Sequence, residues 1–149
     1  MHLSSVGVSA EWRKYLMGFA QHAATKSKDT TQVGAAIVNS KTVLMTGYNG
    51  PPAGVGDMPR RRERPAKYLF ASHAEQNTIA FAARHGICTN GADIYVTHMP
   101  CAACARSIIQ AGIVRVCYGS GKTSMPADEF EAARVMLSEA GVLMEEVDG

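Results

Sequence analysis

Apolar positions along the chain fall into alternating blocks of helix period and strand period. Over residues 10 to about 26 they recur at Trp12, Tyr15, Leu16, Phe19, Ala20 and Ala23, the three- and four-residue spacing of an amphipathic helix. Ser9 stands where an N-cap is needed, and this helix is expected to cover one face of a sheet with His22 at its surface. The polar run Ser27-Lys28-Asp29-Thr30-Thr31-Gln32 ends it. Residues 33–38 and 43–48 read as two short strands joined by Asn39-Ser40-Lys41, an antiparallel hairpin. Glycine and proline then dominate residues 49–56, and a long loop extends to about Ser72. Helix period returns over residues 73–85, with Ser72 as cap and Gly86 beyond the end. Residues 92–97 form a third strand. Pro100 is expected to open a helix running to Gly112, and residues 114–118 form a fourth strand. Strand, helix and strand in that order predict a parallel pair. A last helix over residues 126–140, with Phe130, Ala133, Val135, Met136 and Leu137 partly buried, leads past Gly141 to a fifth strand over residues 142–147. The pattern predicts a mixed sheet with helices on both faces, in a single domain spanning residues 1–149.

Composition narrows the class. Hydrophobic residues make up 46% and charged residues 19%, and 149 residues suffice to bury a core without disulfides. A net charge of +2 is too small a footprint for a polyanion, so neither polymeric nucleic acid nor a membrane surface is expected as a partner. No apolar run approaches the roughly 20 residues that span a bilayer. The segment Met1-His2-Leu3-Ser4-Ser5 lacks the charge-then-apolar order of an export signal, so a cytoplasmic location is expected.

The chemistry concentrates between His73 and Cys104. His73-Ala74-Glu75 opens the stretch and Pro100-Cys101-Ala102-Ala103-Cys104 closes it. A Cys-x-x-Cys in a chain without an export signal points to metal or redox chemistry, and the upstream His-Ala-Glu favours metal. Two thiols and one imidazole are three ligands of a zinc site that keeps its fourth position open, the mark of a catalytic centre. Closure by His98 would make the site structural, but His98 reads better as a wall or surface residue. Glu75 is the general acid–base, because hydrolysis at a ring carbon bearing an amine needs one group to move protons between water, ring nitrogen and leaving ammonia. His-x-Glu followed by Pro-Cys-x-x-Cys is the known signature of zinc nucleobase deaminases. Both ends are expected at helix N-termini, where thiol pKa falls and anions are favoured. Cys88 and Cys117 have no partner at ligand spacing and are expected in the core. The run Arg60-Arg61-Arg62-Glu63-Arg64 suits a phosphate or nucleotide anion as well as a solvated loop.

These motifs resemble the cytidine deaminase superfamily and, more narrowly, the deoxycytidylate (dCMP) deaminases. The narrower resemblance rests on Ser27-Lys28-Asp29, Gln32-Val33-Gly34-Ala35, the block from Gly47-Tyr48-Asn49-Gly50 through Pro51-Pro52-Ala53-Gly54, His73-Ala74-Glu75-Gln76-Asn77, and Cys104-Ala105-Arg106 followed by Ile109-Gln110-Ala111-Gly112-Ile113. It implies a three-layer α/β/α sandwich around a mixed five-stranded sheet, and hydrolysis of dCMP to dUMP and ammonia for thymidylate synthesis. By position, His73, Cys101 and Cys104 would hold one Zn2+ and Glu75 would shuttle protons. Asn49 would contact the deoxyribose, the Ala74 backbone would accept from the cytosine amine, and Lys28, Tyr118 and Lys122 would serve the phosphate end. The resemblance further implies a hexamer controlled by dCTP and dTTP through the loop of Gly50 and Gly54, with Arg60, Arg61 and Arg62 meeting an effector's phosphates. Arg84 corresponds to a position near subunit contacts. The long loop lacks the additional Cys and His of some relatives, so no second zinc is expected. Other cytosine substrates (dCTP, cytidine, 5-substituted dCMP) and a catalytically silent zinc-stabilised module are the competing readings.

Overall fold

The computed structural model describes residues 7–148, so the N-terminal segment read above for an export signal lies outside the described residues. Five strands form one sheet in the order β2-β1-β3-β4-β5. They are β1 (Gly34–Asn39), β2 (Thr42–Tyr48), β3 (Asp93–His98), β4 (Arg115–Gly121) and β5 (Leu143–Glu146). The hairpin β1–β2 is antiparallel, as is β1–β3, whereas β3–β4 and β4–β5 are parallel. This is the mixed five-stranded sheet that the hydrophobic pattern predicted. Ser40, at the hairpin turn, carries the one non-glycine positive φ among the described residues, 58°.

Alternation along the strands divides the core. Ala36, Val38, Tyr95 and Cys117 meet Leu16, Met17 and Ala20 of α1 (Ala10–Ala24) on one face. Ala35, Ile37, Ile94, Val96 and Val116 meet α3 (Ala74–Arg84), α4 (Ala102–Gln110) and α5 (Ala127–Glu139) on the other. Two glycines set the closest helix–sheet approaches. A Cβ on Gly34 would overlap the Ala20 carbonyl of α1, and one on Gly47 would overlap the Thr78 hydroxyl of α3. Gly47→Ala should therefore push α3, the helix that carries Glu75, off the sheet. Overpacking of this kind is expected to cost about 1–3 kcal/mol, read as a fall in the urea midpoint.

Several expectations are corrected. Trp12, Tyr15 and Phe19 stack edge-to-face along the outer side of α1, while the sheet-facing stripe is Arg13, Leu16, Met17, Ala20 and Ala24. Burying a guanidinium is costly unless its charge is matched. Arg13 meets this condition: its Nη1 lies 3.9 Å from Asp93 and donates to Tyr95 Oη at 3.3 Å. Its Nε lies 2.7 Å from Glu145 Oε2, an ion pair. The long loop is not structureless, for it contains a 3-10 turn at Pro59–Arg61 and a short helix, α2 (Lys67–Phe70). Cys88 follows the Gly86 turn out of α3 and is exposed, whereas Cys117 is buried as expected. Val135 lies half-exposed on the outer side of α5.

Candidate active site

Two helix starts converge on one point. α3 is preceded by a two-residue backbone pairing of Gly50 with Ser72, which fixes where the helix can begin. Ser72 is thus held in this bridge and is not the cap. His73 itself occupies the N-cap in extended conformation, and Gln76 Oε1 accepts from its N–H at 3.3 Å. The second helix repeats the arrangement: Cys101, not Pro100, borders α4, again as an extended N-cap, and Cys104 sits one turn inside. The α4 start is braced from α5, where Glu129 Oε1 accepts from the Ala102 N–H at 3.2 Å. No feature of the sequence marked Glu129, because its role depends on how α5 packs.

The donor atoms are His73 Nδ1 and two sulfurs. Nδ1 lies 3.4 Å from Cys101 Sγ and 3.3 Å from Cys104 Sγ, and all three atoms lie within 4.8 Å of one another. Ligands on a tetrahedral zinc at ordinary bond lengths are separated by about 3.6 Å, so the set fits one ion. The donors' electrostatics fit as well. Cys101 is pulled down to about 4, by hydrogen bonding with Cys104 and then His73 against the effect of burial. Cys104 shares that bond from the other side, and it and burial push its thiol up. His73 is pushed up by its bond to Cys101. The cluster thus holds one ready thiolate and protons that a divalent cation would displace. His98 is not in the donor group; it lines the cavity, and burial lowers its pKa.

Glu75, in the first turn of α3, is 4% exposed. Burial pushes its carboxyl up to about 7, partly opposed by backbone hydrogen bonding and His73. A carboxyl that gains and loses a proton near neutrality suits repeated proton transfer.

His73, Glu75, His98 and Cys101 line a cavity of about 350 Å³, walled also by Asn49, Ala74, Asp29, Thr31, Arg64, Lys67, Tyr68, Ser124 and Phe130 among others, with Cys104 buried behind it. Asn49 is fixed by its own amide: Oδ1 accepts from Val33 N–H at 2.9 Å and Nδ2 donates to Thr31 O at 2.9 Å. The Ala74 carbonyl accepts from Thr78 Oγ1 at 2.7 Å. Lys28, Tyr118 and Lys122 do not reach the cavity wall. Lys28 and Lys122 point to solvent, and Tyr118 packs against the core beneath Arg134. Gly50, Gly54, Arg60, Arg61 and Arg62 also lie off the wall. Arg61 donates to Gly56 O and covers Phe70, while Arg62 pairs with Asp57 at 3.1 Å. Arg84 is exposed over Phe81.

Asp29 accepts from the Thr31 N–H and pairs with Lys67 at 3.1 Å. Burial alone would raise its pKa, but these partners outweigh burial and hold the carboxyl below its usual range. A depressed folded-state pKa stabilises the fold above the unfolded value, near pH 4, and that contribution is lost as pH falls through the folded value. Asp29→Asn should cost about 1–2 kcal/mol at neutral pH, with the gap from wild type closing below about pH 4 in urea titrations.

Comparison with known proteins matches residues 10–120 to the cytidine and deoxycytidylate deaminase zinc-binding region. Human deoxycytidylate deaminase is 41% identical over 140 residues, covering 89% of this chain and 77% of that one. An uncharacterised deaminase from the luxG 3′ region of Aliivibrio fischeri is also 41% identical, over 89% of this chain and 91% of its own. Among solved structures, the dCMP deaminase of cyanophage S-TIM5 in complex with dCMP and dUMP superposes with a TM-score of 0.77 at 26% identity. That match covers 93% of this chain and 98% of the phage chain.

Proposed function

The chain belongs to the cytidine and deoxycytidylate deaminase family, and from that premise we propose that it hydrolyses dCMP to dUMP and ammonia. The observation that carries this reading is the buried Glu75 carboxyl beside the His73–Cys101–Cys104 donor set, with Glu75, His73 and Cys101 on the wall of one cavity. In this reading His73 Nδ1 and the sulfurs of Cys101 and Cys104 would hold zinc. Bound there, the ion would supply Lewis-acid chemistry that lowers the pKa of water toward neutrality.

Glu75 takes a proton from the attacking water and passes it to the ring nitrogen, while a C4–O bond forms. The carboxylate then takes the proton of the new C4 hydroxyl and delivers it to the exocyclic amine, so that the C4–N bond breaks, ammonia leaves and the C4 carbonyl forms. Asn49, locked to Val33 and Thr31, offers a fixed amide to the sugar, and Ala74 lines the base end. Lys28, Tyr118 and Lys122 lie off the cavity wall, and this reading does not include them in the binding set. The same reading carries a homo-oligomer, a hexamer by resemblance, with dCTP and dTTP acting through the Gly50–Arg62 loop segment. Its support is the exposed Arg60 on that loop. Titrating both effectors against rate and oligomer size tests this part.

A panel of dCMP, dCTP, cytidine and 5-substituted dCMP tests the substrate. The reading expects dCMP to have the highest kcat/KM. Turnover of cytidine without turnover of dCMP would overturn it. No helix among the described residues is long and apolar enough to cross a membrane.

A further inference from the structure

The two helices that converge on the donor set are started differently. α3 closes its own first turn, with Gln76 accepting from the His73 N–H and Glu75 supplying an acidic side chain. α4 has neither device. Its first turn carries no acidic residue, and Cys101 brings to the N-cap a sulfur that belongs to the donor set. A helix N-terminus leaves its first N–H groups without intrahelical partners and carries a partial positive charge. In α4 the missing acceptor comes from another helix: Glu129, in the first turn of α5, accepts from the Ala102 N–H at 3.2 Å. Ala102 follows Cys101 directly and shares the first turn with Cys104, so this bond ties down the segment that carries both sulfurs.

Glu129 pairs with no cation among the described residues, and it forms no part of the cavity wall. It does not touch the space where substrate would sit, so its influence on the chemistry passes through the donor set. Its charge reaches that set as well. His73 is pushed up first by its bond to Cys101, and the Glu75 and Glu129 carboxylates add to the rise. Residues that hold metal ligands in place govern metal affinity nearly as strongly as the ligands themselves.

We propose that Glu129 is a positioning residue of the metal centre: by capping α4 from α5 it fixes the Cys101 and Cys104 sulfurs and so sets the affinity for zinc. This role rests on the zinc reading above but not on the identity of the substrate, so its test needs no turnover. Zinc dissociation constants are measured by titrating the holoenzyme with a chromophoric chelator, for wild type, Glu129→Ala, Glu129→Gln and Asp128→Ala. Glu129→Ala should bind zinc about 10- to 100-fold more weakly, the usual loss when a partner behind the ligands is removed. Glu129→Gln keeps an oxygen that can accept from Ala102, so it should recover most of that loss, and it carries the test if Glu129→Ala fails to fold. Asp128 is exposed in the same first turn of α5, and Asp128→Ala should bind zinc as wild type does. With cobalt in place of zinc, Glu129→Ala should alter the thiolate-to-metal absorption and Glu129→Gln should restore it. Zinc affinity unchanged in Glu129→Ala would overturn the role. So would equal losses in Glu129→Ala and Glu129→Gln, which would make charge alone responsible, or an equal loss in Asp128→Ala, which would make it a matter of α5 stability. Wild type that takes up no zinc would overturn both this role and the zinc reading. If Glu129→Ala loses zinc as expected while wild type does not deaminate dCMP, the positioning role stands and the substrate reading fails.

Discussion

Replacing Glu75 with Gln is expected to lower kcat on dCMP by about 10³-fold or more while the protein keeps its zinc. The two side chains have nearly the same shape, so the buried position tolerates the change. The amide neither takes the proton of water nor returns one to the leaving amine. Burial already holds the Glu75 carboxyl up to about 7, so a neutral group there should not unfold α3. Steady-state rates with metal analysis of the same samples check this. Undiminished activity would mean that another group shuttles the protons.

The second large effect concerns the donors. Cys101→Ser and Cys104→Ser should each leave far less than one zinc per chain and reduce turnover by about 10³-fold or more, because an alcohol is a poor zinc ligand near neutral pH. Cys104 is fully buried and borders Glu75, so its loss should also lower the midpoint of thermal unfolding. Cys88→Ser is the contrasting case. That thiol is exposed and outside the donor group, and both zinc content and rate should stay at wild-type levels.

The sequence carried the donor set because ligand spacing is local. Cys101 and Cys104 are one helical turn apart, and His73 with Glu75 fits a single turn, so neither pair depends on distant packing. The parallel β3–α4–β4 unit was legible for the same reason: strand, helix and strand follow directly, and chirality leaves few alternatives. The two helices begin later than the sequence suggests, with His73 and Cys101 at the N-caps. A His or Cys at N-cap offers no side-chain oxygen, and Ser72 looked the better candidate until its backbone proved to be tied to Gly50.

What the sequence could not show depends on tertiary partners. The stripe of α1 turns inward at Arg13 because Asp93 and Glu145, far away in the sequence, match its charge and Tyr95 accepts its hydrogen bond. The resemblance points to Lys28, Tyr118 and Lys122 for the phosphate end, and the charge pattern to the run from Arg60 to Arg64. Within that cluster Arg61 and Arg62 are occupied by their own loop, and Arg64 reaches the cavity because Ser124 holds it from across the chain. Charge density in a sequence therefore locates the loop, while tertiary partners decide which of its arginines faces the cavity.

The most direct measurement follows dCMP with zinc-loaded protein, quantifying dUMP and ammonia together, before and after chelation and zinc return. The account predicts equimolar products, loss of both on chelation, and recovery of both with zinc. Ammonia-free consumption of dCMP, or deamination that persists once the zinc is gone, would contradict it.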